Sequence, residues 1–170
     1  MTTLGWEGAA TVRDAIPADA TVATRIAKAA KASWGYPQDW LAEWDPHLTI
    51  SPSDLEWHDG FMAGLGSREV GVALLTRTGN IFELAHLWVL PDAQGAGVGS
   101  RLVEAVRNRA AERGATALRI ESDPNAVSFY ERMGARVVGT VQAPVCGQDR
   151  TLPVMALQIR RGATAGDALP

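Results

Sequence analysis

The stretch whose reading decides the fold is "LWVLPDAQGAGVGSRLVEAV", residues 87–106. An apolar run stops at Pro91, glycines stand at 95, 97 and 99, and Leu102, Val103, Val106 and Ala110 then recur at helical spacing. Glycine this dense at the mouth of a helix implies a backbone that turns sharply, or one that lets a ligand approach its N–H groups. Successive amides in such a loop can converge on a pyrophosphate, with the positive end of the helix behind them. Each such interaction supplies roughly 0.3 to 2 kcal/mol, so several must act together. Arg101, in the first helical turn, adds a charge-assisted contact.

Working outward, "FMAGLG", "VGVALLT" and "IFELAHLWVL" are short apolar segments broken by polar residues and glycine, which predicts an antiparallel meander of three strands feeding the loop. Before them, "ATVRDA" (10–15) reads as a strand, and Pro17 and Asp19 open a helix running to about Trp34. "WGYPQDWLAEW" (34–44) is a turn entering a second short helix, dense in aromatic residues. After the loop, the helix stops at Gly114, "ALRIE" (117–121) is a strand, "AVSFYERM" a short helix stopped by Gly134, and "ARVVGTV" and "LPVMALQI" (152–159) are strands. Residues 1–160 are expected to form one domain. The polar, Gly/Ala/Pro-rich end, 161–170, is expected to be a disordered tail.

Three phosphate-binding loops compete for the glycines. A P-loop needs GxxxxGK followed by Ser or Thr, and Gly99 is followed by Ser100 and Arg101 with no lysine in the loop, so that reading fails. A Rossmann-like loop for NAD or S-adenosylmethionine wants glycines directly after a strand and an acidic residue about 20 positions on, a place Glu121 fills. Against it, Pro91, Asp92, Ala93 and Gln94 separate strand from glycine, and three antiparallel strands precede the loop. The third reading starts the motif at Gln94: Gln, two residues, Gly97, one residue, Gly99.

In this form "VLPDAQGAGVGSRLVEAV" resembles the Q/RxxGxG/A motif of the GCN5-related N-acetyltransferases (GNAT), which use acetyl coenzyme A. "DPNAVSFYERMGARVVG" is similar to that family's later segment, where an Asn and a Phe-Tyr pair precede a glycine and the next strand. The resemblance covers residues 10–160 in element order and is tightest over 81–141. It implies an α/β fold of the α+β kind: one GNAT-like domain with a mixed, mostly antiparallel sheet flanked by helices. It also implies an acetyl-CoA-dependent N-acetyltransferase that moves an acetyl group to a primary amine by direct attack in a ternary complex. Two alternatives stay open, a module that holds coenzyme A without turnover and the Rossmann-like binder.

Direct transfer needs a neutral amine, stabilisation of a developing oxyanion and a proton for the departing thiolate. A lysine-type amine of pKa ~10.4 costs about 4.6 kcal/mol to deprotonate at pH 7, an α-amine of pKa ~7.8 only about 1. By the resemblance Tyr130 is the general acid, and Glu83 stands at the distance from Gln94 where histone-acetylating relatives carry their base. That role predicts a partly desolvated Glu83 acting through water. His86 has the opposite strand parity and faces away from it unless a bulge redirects it. The coenzyme is expected along Leu87, Trp88 and Val89, where the family's strand splays from its neighbour, then on Gln94, Gly95, Ala96, Gly97, Val98, Gly99 and Ser100, and against Asn125, Phe129 and Tyr130. Asn125 also sits where a helix cap belongs. Trp34, Tyr36, Glu83 and His86 are candidate acceptor contacts; Trp34, Tyr36, Trp40 and Trp44 offer cation–π surface or are simply packed.

A formal charge of −3 over 170 residues, with scattered Lys and Arg, gives no field for nucleic acid or an anionic membrane. The expected partner is a small-molecule or peptide amine, and a homodimer is compatible with the sequence. One cysteine, Cys146, and isolated His47, His58 and His86 give no disulfide framework and no zinc spacing, so no metal is expected. Cys146 has no neighbouring base and reads as a small loop or core residue. With no leader pattern at the N-terminus and no long apolar run, the chain is expected to be soluble, unprocessed and cytoplasmic.

Overall fold

The computed structural model describes residues 8–160, so the expected tail at 161–170 lies outside the described residues. Strand β1 (Thr11–Asp14) leads through a 3-10 turn into α1 (Ala20–Ala32), followed by α2 (Gln38–Leu48) and α3 (Pro52–Trp57). The meander is β2 (Asp59–Leu65), β3 (Arg68–Thr78) and β4 (Ile81–Val89). After it come α4 (Val98–Glu112), β5 (Ala117–Glu121), α5 (Val127–Arg132), β6 (Arg136–Gln142) and β7 (Thr151–Gln158). The order across the seven-stranded sheet is β1-β2-β3-β4-β5-β7-β6. Among the described residues only β4 and β5 run parallel. This mixed, mostly antiparallel sheet removes the Rossmann-like alternative, whose parallel strands need a crossover at every step. The helix α3 has no counterpart in the sequence reading, although its capping box was on display: Ser51 Oγ accepts from the Asp54 amide while the Asp54 carboxylate accepts from the Ser51 amide at 2.7 Å.

Helices cover both faces of the sheet. Val98, Leu102, Val103, Val106 and Ala110 of α4 are buried against Ala73, Leu75, Leu84, Leu118 and Met155 on one face. Ala23, Ile26 and Ala27 of α1, with Ile50 and Leu55, bury Met62, Val72 and Leu74 on the other. Each of these large aliphatic side chains contributes roughly 1.5 to 3 kcal/mol when fully buried. Gly114 closes α4 in the left-handed conformation (φ 85°), with Ala115 N–H donating to Ala110 O and Gly114 N–H to Ala111 O.

Two irregularities shape the centre. Leu74 pairs with His86 but Leu75 pairs with Leu84, which leaves Ala85 as an extra residue bulging from β4. Beyond Glu83, opposite Arg119, the parallel pair has no further register and β4 and β5 part.

Candidate functional site

The parting of β4 and β5 opens a cleft of about 540 Å³ between the end of β4, the glycine loop, the start of α4 and α5. The three glycines do different work. Gly95 (φ 80°) and Gly97 (φ 79°) are left-handed, a conformation costing an L-residue roughly 1–2 kcal/mol. Gly99 has ordinary helical geometry, but a Cβ there would meet the Phe129 ring at 3.1 and 3.2 Å. Among the described residues, the amides from Gly95 to Ser100 donate to no protein acceptor, and the first return bond of α4 is Arg101 N–H to Gly97 O at 3.1 Å. A run of uncommitted donors at the positive end of a 15-residue helix is what an anionic group requires.

The alternation of β4 decides which backbone groups face the cleft. Leu90 N–H donates to Val70 O at 2.8 Å, which puts Trp88 in the same phase toward β3 and turns Leu87 and Val89 toward the open edge. Of the expected Leu87, Trp88 and Val89, the Trp88 backbone is therefore committed to β3, while Leu87 and Val89 line the cleft. Gln94 reaches back to this edge, its Nε2 donating to Val89 O at 3.3 Å. Of the other candidates, Trp34, Gly95, Gly97, Val98, Gly99, Ser100, Asn125, Phe129 and Tyr130 line the same cleft, while Ala96, Trp88, Tyr36, Glu83 and His86 do not. Ala93, Ala126, Ser128 and Arg132 complete the wall and were not anticipated.

Tyr130 is held from behind. Gly134 N–H donates to Glu131 O and Ala135 N–H to Tyr130 O, both at 2.9 Å, ending α5; Tyr130 is 6% exposed, its ring edge-on to Phe129. Its hydroxyl has no partner among the described residues. No buried side-chain polar atom is left unsatisfied there either, so the hydroxyl opens onto the cleft. Burial, reinforced by the Asp123 charge, pushes the phenol well above its usual range and keeps it protonated.

The bulge at Ala85 overturns the expected opposition of Glu83 and His86: their partners Thr76 and Leu74 share a face of β3, so both point to the α1 side, as does Trp88. His86 Nδ1 accepts from Trp88 Nε1 at 3.0 Å, which puts the proton on Nε2 and leaves the imidazole no free acceptor. Burial lowers its pKa below 6.5, against a weaker opposing pull from Asp54, and holds it neutral. Glu83 is half-buried, its side chain 31% exposed, and it accepts from Arg119 at 3.0 Å across the last paired position of β4 and β5.

On the α1 side lies a cluster that the sequence reading missed. Lys31 and Arg150 both donate to Asp123 Oδ2, at 2.6 and 3.0 Å, and these side chains are 8%, 12% and 8% exposed for Lys31, Arg150 and Asp123. The Lys31 ammonium also lies 4.2 Å from the centre of Trp44, 4.8 Å from Tyr36 and 5.3 Å from Trp34. The aromatic segment is thus a cation–π box already filled by the protein's own lysine, not an open cage for a cationic acceptor. Burial lowers the Lys31 ammonium despite Asp123 beside it. In Asp123 burial pushes upward, but hydrogen bonds from Lys31, the Asn125 amide and Tyr36 outweigh it and hold the carboxylate below 3.8. Asp123, not Asn125, is the cap of the turn into α5, accepting from Asn125 N–H at 2.9 Å. Cys146 sits at φ 48° in the β6–β7 connection, its amide bonded to Glu43; that carboxylate pushes the thiol up to about 11, which disfavours a nucleophilic thiolate. Among the described residues no helix is long and apolar enough to cross a membrane.

A family model described as "Acetyltransferase (GNAT) domain" matches residues 59–144, from β2 through the glycine loop and α5 to the end of β6. No curated protein matches the chain in sequence. Among solved structures, the GCN5-related N-acetyltransferase of Rhodopseudomonas palustris is 23% identical, with 89% of this chain and 96% of that one covered and a TM-score of 0.76. The PaiA N-acetyltransferase of Thermoplasma acidophilum, in complex with coenzyme A, is 16% identical over 89% and 99% (TM-score 0.74). YncA of Salmonella typhimurium, with its cofactor acetyl-CoA, is 20% identical over 92% and 98% (TM-score 0.63). At these identities the likeness is one of fold.

Proposed function

The chain belongs to the GNAT acetyltransferases, and from that premise we propose that it moves the acetyl group of acetyl-CoA to a primary amine by direct attack in the cleft. The observation that carries the reading is that the amides from Gly95 to Ser100 bond to no protein acceptor among the described residues, and that all of these residues except Ala96 line the same cleft as Tyr130 with its unpartnered hydroxyl. When bound, acetyl-CoA supplies an activated thioester carbonyl. Its diphosphate suits the loop amides and Arg101, with Gln94 holding the end of β4 in place. Leu87 and Val89 offer N–H groups along the unpaired edge, where a developing oxyanion is stabilised without a side chain. Phe129 packs beside Gly99 and sets the depth of the cleft.

Tyr130 Oη delivers the proton to the departing thiolate, a role suited to a phenol that stays protonated through the neutral range. Glu83 takes the amine proton through water. It is favoured over His86 because the accepting nitrogen of His86 is occupied by the Trp88 indole. Trp34 lines the cleft where α1 ends and borders the acceptor's path. Thermal shift and calorimetry with acetyl-CoA, CoA, NAD and S-adenosylmethionine test the binding claim, with stabilisation by the two CoA compounds expected. Response to NAD or S-adenosylmethionine but not CoA refutes it. A coupled thiol-release assay over polyamines, aminoglycosides, amino acids and peptides tests turnover; binding with no release for any amine would reduce the protein to a CoA-holding module.

A further inference from the structure

We propose that Tyr36 and Asp123 are positioning residues: they fix the Asn125 carboxamide so that its Oδ1 is offered to the cleft as a hydrogen-bond acceptor for a ligand N–H. The inference rests on the CoA reading of the cleft and deepens it, by tying the coenzyme wall to the segment between α1 and α2.

Asn125 Nδ2 donates to Tyr36 Oη at 3.0 Å and to Asp123 Oδ1 at 2.9 Å, which places the nitrogen end of the carboxamide on this pair. The Tyr36 hydroxyl gives its own proton to Asp123, which it approaches at 2.9 and 3.0 Å, and therefore meets Asn125 with a lone pair. Exchanging the amide oxygen and nitrogen would set that oxygen against a carboxylate and a hydroxyl lone pair together, so the orientation is chemically forced. Asp123 cannot yield, because Lys31, Arg150 and the Asn125 backbone N–H hold it. Asn125 Oδ1 has no protein partner among the described residues, and Asn125 is exposed on the cleft wall. The cleft thus presents donors at the loop, a donor at Tyr130 and one oriented acceptor at Asn125. The arm of coenzyme A, with its secondary amides, has an N–H to match it.

A double-mutant cycle tests this on the full chain: wild type, Tyr36→Phe, Asn125→Ala and the double variant, with the Kd of CoA by calorimetry and kcat and KM by thiol release. Each single change is expected to weaken CoA about 5- to 10-fold and raise KM for acetyl-CoA with kcat within about 3-fold. The double variant should bind no more weakly than Asn125→Ala alone, within about 2-fold, because Tyr36 acts through Asn125. In the ligand-free protein, Tyr36→Phe should shift the Asn125 side-chain amide resonances and speed their exchange, with the melting temperature held within about 3 °C. Additive losses in the cycle, or Asn125 resonances unmoved by Tyr36→Phe, overturn the positioning role while leaving CoA binding intact. A wild type that binds no CoA overturns the site reading and this proposal with it.

Discussion

Charge arithmetic in the buried cluster predicts an order of stabilities that intuition about salt bridges reverses. Lys31 and Arg150 share one carboxylate oxygen at 2.6 and 3.0 Å, so the cluster carries two cations against one anion. Replacing Lys31 with Met leaves a neutral Arg150–Asp123 pair and fills the aromatic box with a flexible apolar chain. The lost cation–π and ion-pair contacts are offset by relief of a desolvated ammonium, for a net cost of about 0 to 1.5 kcal/mol. Asp123→Asn instead removes the anion that offsets the mutual repulsion of the two buried cations. Breaking a buried pairing in this way costs about 3 to 5 kcal/mol, or a melting temperature lower by roughly 10 °C or more in a domain of this size. Calorimetric melting of Asp123→Asn, Lys31→Met and Arg150→Met at pH 7 checks the order. Lys31→Met falling as far as Asp123→Asn, or Asp123→Asn within about 1 kcal/mol of wild type, refutes the reasoning. The pH dependence has a fixed sign. Asp123 lies below 3.8 in the folded state, so its contribution is complete above that value and is lost as pH falls through the lower folded pKa. The gap between wild type and Asp123→Asn therefore narrows below about pH 4.

Tyr130→Phe should lower kcat by about 10- to 1000-fold while CoA affinity stays within about 2-fold; unchanged turnover removes the phenol from the reaction. Gly97→Ala should cost about 1 to 2 kcal/mol of stability by forcing a side chain into the left-handed region, measurable by urea unfolding. Gly99→Ala should leave the fold intact, push Phe129 by a few tenths of an ångström and weaken CoA in calorimetry, because the clash is with a cleft-lining ring. Glu83→Gln should reduce kcat/KM by about 10- to 100-fold at pH 7 with an amine of high pKa, and the deficit should shrink as pH approaches that pKa; a pH-independent deficit points to structure instead.

The sequence made the elements on either side of the glycine loop legible because their signals are local. Helical spacing from Leu102 to Ala110, Gly114 as a stop, and the alternating apolar runs of the meander each depend on residues within a turn or two. The same locality explains why Gly95 and Gly97 read correctly as backbone requirements, while the reason for Gly99 stayed hidden: its neighbour Phe129 lies 30 positions on and meets it only after β5 has crossed the sheet. Strand parity failed at one residue. Ala85 carries no mark of a bulge, yet it alone turns His86 to the face of Glu83, and pairing with β3 is what exposes it. The buried cluster was least accessible of all, since Lys31, Asp123 and Arg150 come from three distant segments and each looks like an ordinary surface charge in a one-dimensional reading. What the sequence did display was the aromatic segment around Trp44, and its density was a signal with two readings, an open box or a filled one. The chain's own lysine decides between them: the box is filled, and of that segment Trp34 also lines the cleft.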